Sequence, residues 1–265
     1  MNVGNSETDA RDSIVVLTHI AWAAIVTSAS KVSYDLQTKM WRCSPRFCIS
    51  VIRSIGLMGK MKDNMSNEIL YILLPDFAEH EMVYLSQAIA SDEYALKENP
   101  KYVNRIVAPS MEPVKAIGGY SMLPDYSFDT MPDDYASLVL VGGFGWITPV
   151  ADKVVPIVSK AIASGKIVGA ICNAASFMAK HGFLNNIKHT GNGIDQLILW
   201  GGENYTNPAG YEHRQTVADS NIVTANGSAT LEFAKELLLL LANDTPERIE
   251  MYYQFNKQGF CELFK

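Results

Sequence analysis

Cys172 is the residue whose type and setting most directly suggest chemistry. In GKIVGAICNAASFMAKHGFL the apolar run ending at Ile171 reads as a buried strand, and the small residues after Cys172 read as a helix start. A strand that passes straight into a helix needs a sharp, strained turn. Such a turn projects its side chain out of the sheet and aims the next amide, that of Asn173, at the same space. A helix amino terminus favours negative charge. The turn alone therefore predicts a thiol pKa lowered by roughly two or three units from ~8.5, about 3 to 4 kcal/mol of differential stabilisation. The competing reading of Cys172 is a small buried hydrophobe, a common fate of free cysteines.

The elements that must position this cysteine follow an alternating pattern. EILYILL from Glu68 reads as a buried strand, and Glu79 to Ala90 has helical spacing of Met82, Leu85, Ala88 and Ile89. Val103 to Pro109 is a second strand, followed by a Gly-, Pro- and Asp-rich excursion, KAIGGYSMLPDYSFDTMPDD, expected to be a hairpin or loop. SLVLVGG (Ser137 to Gly143) is an apolar strand ending in a glycine pair. Pro149 to Ser164 is helical by spacing and closes at Gly165, and KIVGAIC then leads into a helix from Ala174 to His181. QTVAD and NIVTA pair around a turn at Ser220, and Ala229 to Ala242 is a long apolar helix. Strands alternating with helices predict an α/β fold, a flavodoxin-like sandwich with a mainly parallel sheet, helices on both faces and the functional residues at the carboxyl ends of the strands.

AIC, a small-residue helix start and GFL together resemble the nucleophile elbow of the ThiJ/PfpI family, within the class I glutamine amidotransferase-like superfamily. LVLVGG resembles the family's strand ending in paired glycines, and LLPDFAEHEM resembles its first-strand segment; the resemblance spans about Asn67 to Leu241. It implies Cys172 as nucleophile, Glu81 (with Glu79 as the alternative) as the acidic residue reaching the thiol, and the amides of Gly143 and Asn173 as an oxyanion pocket. A buried carboxyl beside a thiolate would have a raised pKa and could donate a hydrogen bond to the sulfur. Two amides could stabilise an oxyanion by about 3 to 4 kcal/mol per donor.

The chain also departs from the family pattern. Members described as proteases or glyoxalases usually carry histidine directly after the cysteine, where this chain has Asn173. Asn192 and His189, in KHTGNG, are the substrate-orienting candidates, and His213 in GYEHRQ is a further histidine that would need a long loop to fold back. WGGENYTNPAGYEHRQ is expected to loop over the site, with Trp146, Trp200, Tyr205 and Tyr211 as possible pocket walls.

The whole chain has 265 residues, 48% hydrophobic and 19% charged, with a formal net charge of -6. That balance offers no basic field for nucleic acid. Cys43, Cys48, Cys172 and Cys261 are too few and too irregularly spaced for a disulfide framework or a zinc site, which points to a reducing cytoplasm. The run from Ile14 to Ala29 is too short and too polar for a membrane span, and Asp9, Arg11 and Asp12 ahead of it argue against a signal peptide.

The domain expectation is an extension over residues 1–65, poorly ordered or not the native start, with Met65 as the natural beginning. An α/β domain follows over 66–245, and an aromatic tail over 246–265 packs on that domain or on a partner. The functional expectation is a cysteine-dependent hydrolase or lyase acting on a small carbonyl, amide or nitrile-type substrate, without metal or organic cofactor. Family likeness implies a homodimer. The alternatives are a redox or stress-response protein sensing oxidants through Cys172, and a binding module with a catalytic-looking pocket.

Overall fold

A computed structural model describes residues 67–91 and 97–263; the expectation for residues 1–65 falls outside them. The elements, in chain order, are β1 (Glu68–Ile72), α1 (His80–Ala90), β2 (Val103–Ala108), β3 (Val114–Lys115), β4 (Ser121–Met122), β5 (Tyr126–Ser127), β6 (Ser137–Leu140), α2 (Val155–Ala163), β7 (Ile167–Ile171), α3 (Asn173–Lys180), α4 (Ile194–Gly201), β8 (Thr216–Asp219), β9 (Ile222–Ala225), α5 (Thr230–Leu240), α6 (Pro246–Gln258) and α7 (Phe260–Leu263).

The fold is a flavodoxin-like α/β sandwich. Its seven-stranded sheet has the order β5-β2-β1-β6-β7-β9-β8. All its pairings are parallel except β8 with β9. The short β3 and β4 form a separate antiparallel hairpin.

Alternation along β1 sends Ile69, Tyr71 and Leu73 to one face, where they meet Leu85 of α1 and Phe233 and Leu237 of α5. Leu70, Ile72 and Leu74 go to the other face, with Val158 of α2, Phe177 of α3 and Leu197 of α4. Both faces of the central strands are dry, which is why those strands read as continuous apolar runs rather than alternating ones.

Strand order reverses at the β1/β6 boundary, since β2 and β5 extend one side and β6, β7 and β9 the other. Such a reversal opens a crevice beyond the carboxyl ends of the strands. The segments after β1, β6 and β7 carry Glu81, the Gly142–Gly143 pair and Cys172.

Two elements differ from the sequence expectation. The region after Thr190, where the sequence pattern showed no helix, contains α4, bracketed by Gly193 and by Gly202 at φ 50°, with Leu197 buried and Leu199 exposed; of the stretch expected to loop over the site, only Trp200 and Gly201 belong to it. Its glycine and asparagine neighbours masked the short helical pattern. Residues 246–258 and 260–263 form α6 and α7, of which α6 starts at a Thr245 side chain accepting the Arg248 N–H at 3.3 Å. α6 lies on the domain: the Tyr252 hydroxyl donates to Tyr84 O at 2.8 Å, and the Tyr253 hydroxyl to Glu232 at 3.0 Å. Among the described residues no helix is long and apolar enough to cross a membrane.

Candidate active site

Cys172 ends β7 and caps α3 with φ 60° and ψ −128°, a conformation that L residues avoid. Holding it costs on the order of 1–3 kcal/mol and requires fixed surroundings. The surroundings are fixed: Cys172 N donates to Ala225 O of β9 at 3.0 Å, and Cys172 O accepts the Ala175 N–H at 3.0 Å. The strand and the helix each claim one end of the same residue, which leaves the side chain to project from the sheet.

Glu81 sits in the first turn of α1 and is 3% exposed. The loop before it is locked to the β6 end, with Ala78 N donating to Gly142 O at 3.0 Å and Phe144 N to Asp76 O at 2.9 Å. The Glu81 carboxylate accepts the Gly142 N–H at 2.7 Å and is hydrogen-bonded to the Cys172 thiol. The alternative acid, Glu79, turns away and accepts the Gly118 N–H at 3.3 Å.

Burial pushes the Glu81 carboxyl up to about 7, against the lowering pull of the thiol, the Gly142 amide and the charge of His80. Burial also pushes the Cys172 thiol above its ordinary range, and the Glu81 charge adds to it. The N–H donors of Asn192 and Asn173 pull the other way and are outweighed. This corrects the expectation drawn from the turn alone. A helix start stabilises the thiolate, but a desolvated thiol facing a carboxylate loses more than that donor returns.

The predicted oxyanion donors are the amides of Asn173 and Gly143. The Asn173 N–H bonds the sulfur, and the Gly143 N–H has no acceptor among the described residues. Gly143 has φ 133°, and a Cβ there would lie 2.2 Å from Asp76 O, so only glycine fits.

Side-chain amides fill the space where an imidazole was sought. Asn173 Nδ2 donates to Gly143 O at 3.0 Å, and its Oδ1 accepts from Gln196 of α4 at 2.8 Å. Asn192 Oδ1 accepts the Gly227 N–H at 2.9 Å, which fixes the orientation of that amide and turns Nδ2 to the Cys172 sulfur at 3.4 Å.

His189 is a correction. It is buried, with Nδ1 2.9 Å from Ile187 O and Nε2 2.6 Å from the Tyr205 hydroxyl, so it cannot orient a substrate. Burial holds its pKa below the usual range. Trp146 and Tyr205 are likewise buried core residues, and Trp200 packs on the same core.

Three residues around the site escaped the sequence reading. A Cβ on Gly227 would lie 2.9 Å from the Cys172 sulfur and 3.2 Å from Glu81 Oε1, so this glycine covers the pair. The available signal was an Asn-Gly step directly after the strand that neighbours β7. Gln196 was hidden in the unrecognised α4. His80, next to Glu81 in sequence, has its Nε2 3.4 Å from Gly227 O.

A cleft of about 540 Å³ is lined by Asn192 and Gly227, the two neighbours of the sulfur, together with Tyr211, His213, Arg214 and Gln215. Of the four aromatic wall candidates, Tyr211 lines it. His213 lines the same cleft.

A sequence model of the DJ-1/PfpI family matches residues 67–240, covering β1 through α5 and every site residue above. The chain belongs to the DJ-1/PfpI family. The "Uncharacterized protease YdeA" of Bacillus subtilis (strain 168) is 34% identical over 193 residues, 72% of this chain and 91% of that protein. Among solved structures, the thiJ/pfpI family protein from Bacillus anthracis is 30% identical with a TM-score of 0.69, covering 76% of this chain and 94% of its own. The DJ-1 superfamily protein Atu0886 from Agrobacterium tumefaciens is also 30% identical, with a TM-score of 0.64 over 72% of this chain and 98% of its own. Within this DJ-1/PfpI domain, Asn173 follows the cysteine and an amide network surrounds it.

Proposed function

We propose that this DJ-1/PfpI protein is a cysteine-dependent hydrolase acting on small amide or related carbonyl substrates. The observation that carries this reading is the hydrogen-bonded Glu81–Cys172 pair, with the Asn173 N–H at the sulfur and a Gly143 N–H left without an acceptor among the described residues. With a pKa near 7, the Glu81 carboxylate is a fitting acceptor for the thiol proton as the sulfur attacks. The carbonyl oxygen then takes the negative charge, and the two N–H groups stabilise it; each such donor supplies about 3 kcal/mol in comparable sites. Water hydrolyses the thioester, and Glu81 returns its proton to the sulfur.

The second reading is an oxidant sensor, favoured by the Asn192 amide at 3.4 Å and the Asn173 N–H, which would also hold the oxygens of a sulfinate. Turnover of small acyl donors by the wild-type chain and by Cys172→Ser separates the two. Hydrolysis that disappears in the variant supports the enzyme. Stoichiometric oxidation of Cys172 by peroxide with no turnover of any donor replaces it with the sensor.

A further inference from the structure

Acyl transfer from an amide needs a proton for the departing nitrogen, and among the described residues no imidazole bonds the Cys172 sulfur. One imidazole, that of His213, lines the cleft that Asn192 and Gly227 share with the thiol. Its loop is pinned on both sides. The Glu212 N–H donates to His189 O at 2.8 Å, Thr190 Oγ1 donates to Arg214 O at 2.8 Å, and the Asn226 N–H donates to Gln215 O at 3.2 Å. His189 and Thr190 lead directly to Asn192, whose amide reaches the sulfur, and Asn226 directly precedes Gly227, which covers it. The backbone that places the two neighbours of the thiol therefore also places His213 in the cleft they border. The charges around it are local: Glu212 is paired with both Lys188 and Arg214 at 3.3 Å, so the carboxylate on this turn is already engaged.

We infer that His213 is the proton donor to the leaving group and that this cleft receives the amine half of a polar amide substrate. The inference rests on Cys172 being an acyl-transfer nucleophile. In acylation the sulfur bonds the acyl carbon as its proton passes to Glu81, and the carbonyl electron pair moves to oxygen. When the carbonyl reforms, the C–N bond breaks with its pair going to nitrogen, which takes the proton of the His213 imidazolium. In deacylation the now neutral imidazole removes a proton from water as its oxygen attacks the thioester. The C–S pair returns to sulfur, which recovers the proton from Glu81. The net change is amide plus water to carboxylic acid plus amine, with every side chain restored. The polar lining supplied by Arg214, Gln215 and Asn226 suits a polar amine better than a hydrocarbon one.

The test uses the full chain and its His213→Gln, His213→Ala and His80→Ala variants with two acetyl donors, para-nitrophenyl acetate and para-nitroacetanilide. Nitrophenolate leaves without a proton, whereas the anilide nitrogen requires one. With acylation read alone, as single-turnover release of the nitrophenolate or nitroaniline, both His213 variants are expected to lose about 100-fold on the anilide, within the usual range of general acid catalysis, and less than about threefold on the ester. An equal loss of acylation rate on both donors, or a selective loss in His80→Ala instead, overturns the assignment of His213 and leaves the Cys172 reading standing. No Cys172-dependent turnover of either donor removes that reading and this proposal together.

Discussion

The Glu81 carboxylate accepts the Gly142 N–H at 2.7 Å and is hydrogen-bonded to the thiol of Cys172, so the glycine pair after β6 and the cysteine after β7 share one acid. Glu81 raises the proton affinity of the thiol, whereas the thiol's hydrogen bond lowers that of Glu81 and is outweighed by burial. Burial supplies most of the effect on both.

That coupling makes stability depend on pH. The Glu81 pKa rises from 4.5 to about 7 on folding, so between those values the folded chain binds more protons than the unfolded one. Stability from this group is fully present below 4.5 and is lost as pH rises through about 7, by roughly 3 kcal/mol in all. Urea unfolding at both ends of that window is expected to show the loss in the wild type and its absence in Glu81→Gln. Equal pH dependence in the two proteins contradicts the raised pKa.

The same substitution acts on the sulfur. Removing the Glu81 charge removes a contribution that raises the Cys172 pKa, while burial continues to hold it up. Alkylation of Cys172 by iodoacetamide, followed by mass spectrometry across pH, is expected to shift its midpoint downward in Glu81→Gln. An upward shift would mean that the carboxyl acts on the sulfur mainly as a hydrogen-bond donor.

Gly227 is predicted to be irreplaceable at the site. An added Cβ would sit 2.9 Å from the Cys172 sulfur, so Gly227→Ala must displace the thiol or the loop. A misfit of this kind costs about 1–3 kcal/mol, and roughly tenfold slower alkylation of Cys172 with a retained fold is the expected result. Unchanged alkylation would show that the loop gives way freely.

Gly169 lies in the middle of β7, where a Cβ would meet Phe233 at 2.8 Å and Leu237 at 2.9 Å across the sheet–helix contact. Gly169→Ala is expected to destabilise the domain by about 1–3 kcal/mol through overpacking, read as a lower urea midpoint. The Cys172 alkylation rate measured well below that midpoint should not change, because the contact lies on the α5 face and not at the strand end.

The sequence by itself determined the succession of strands and helices, the turn at Cys172 and the glycine pair at Gly142. These depend on local periodicity and on backbone conformations that few residues tolerate, both written within a short window. Glu81 was reachable through the family resemblance of LLPDFAEHEM, a segment that directly follows β1.

Only the tertiary structure decided what surrounds the thiol. Gly227 and Asn192 come from segments far apart in the chain and meet at Cys172 because β9 pairs with β7. His213 returns to the cleft, and His189 leaves it, through hydrogen bonds between loops that no periodicity records. The direction of the Cys172 pKa was decided in the same way. The helix-start donor is local and legible, whereas the desolvation and the facing carboxylate that outweigh it exist only once the strands have assembled.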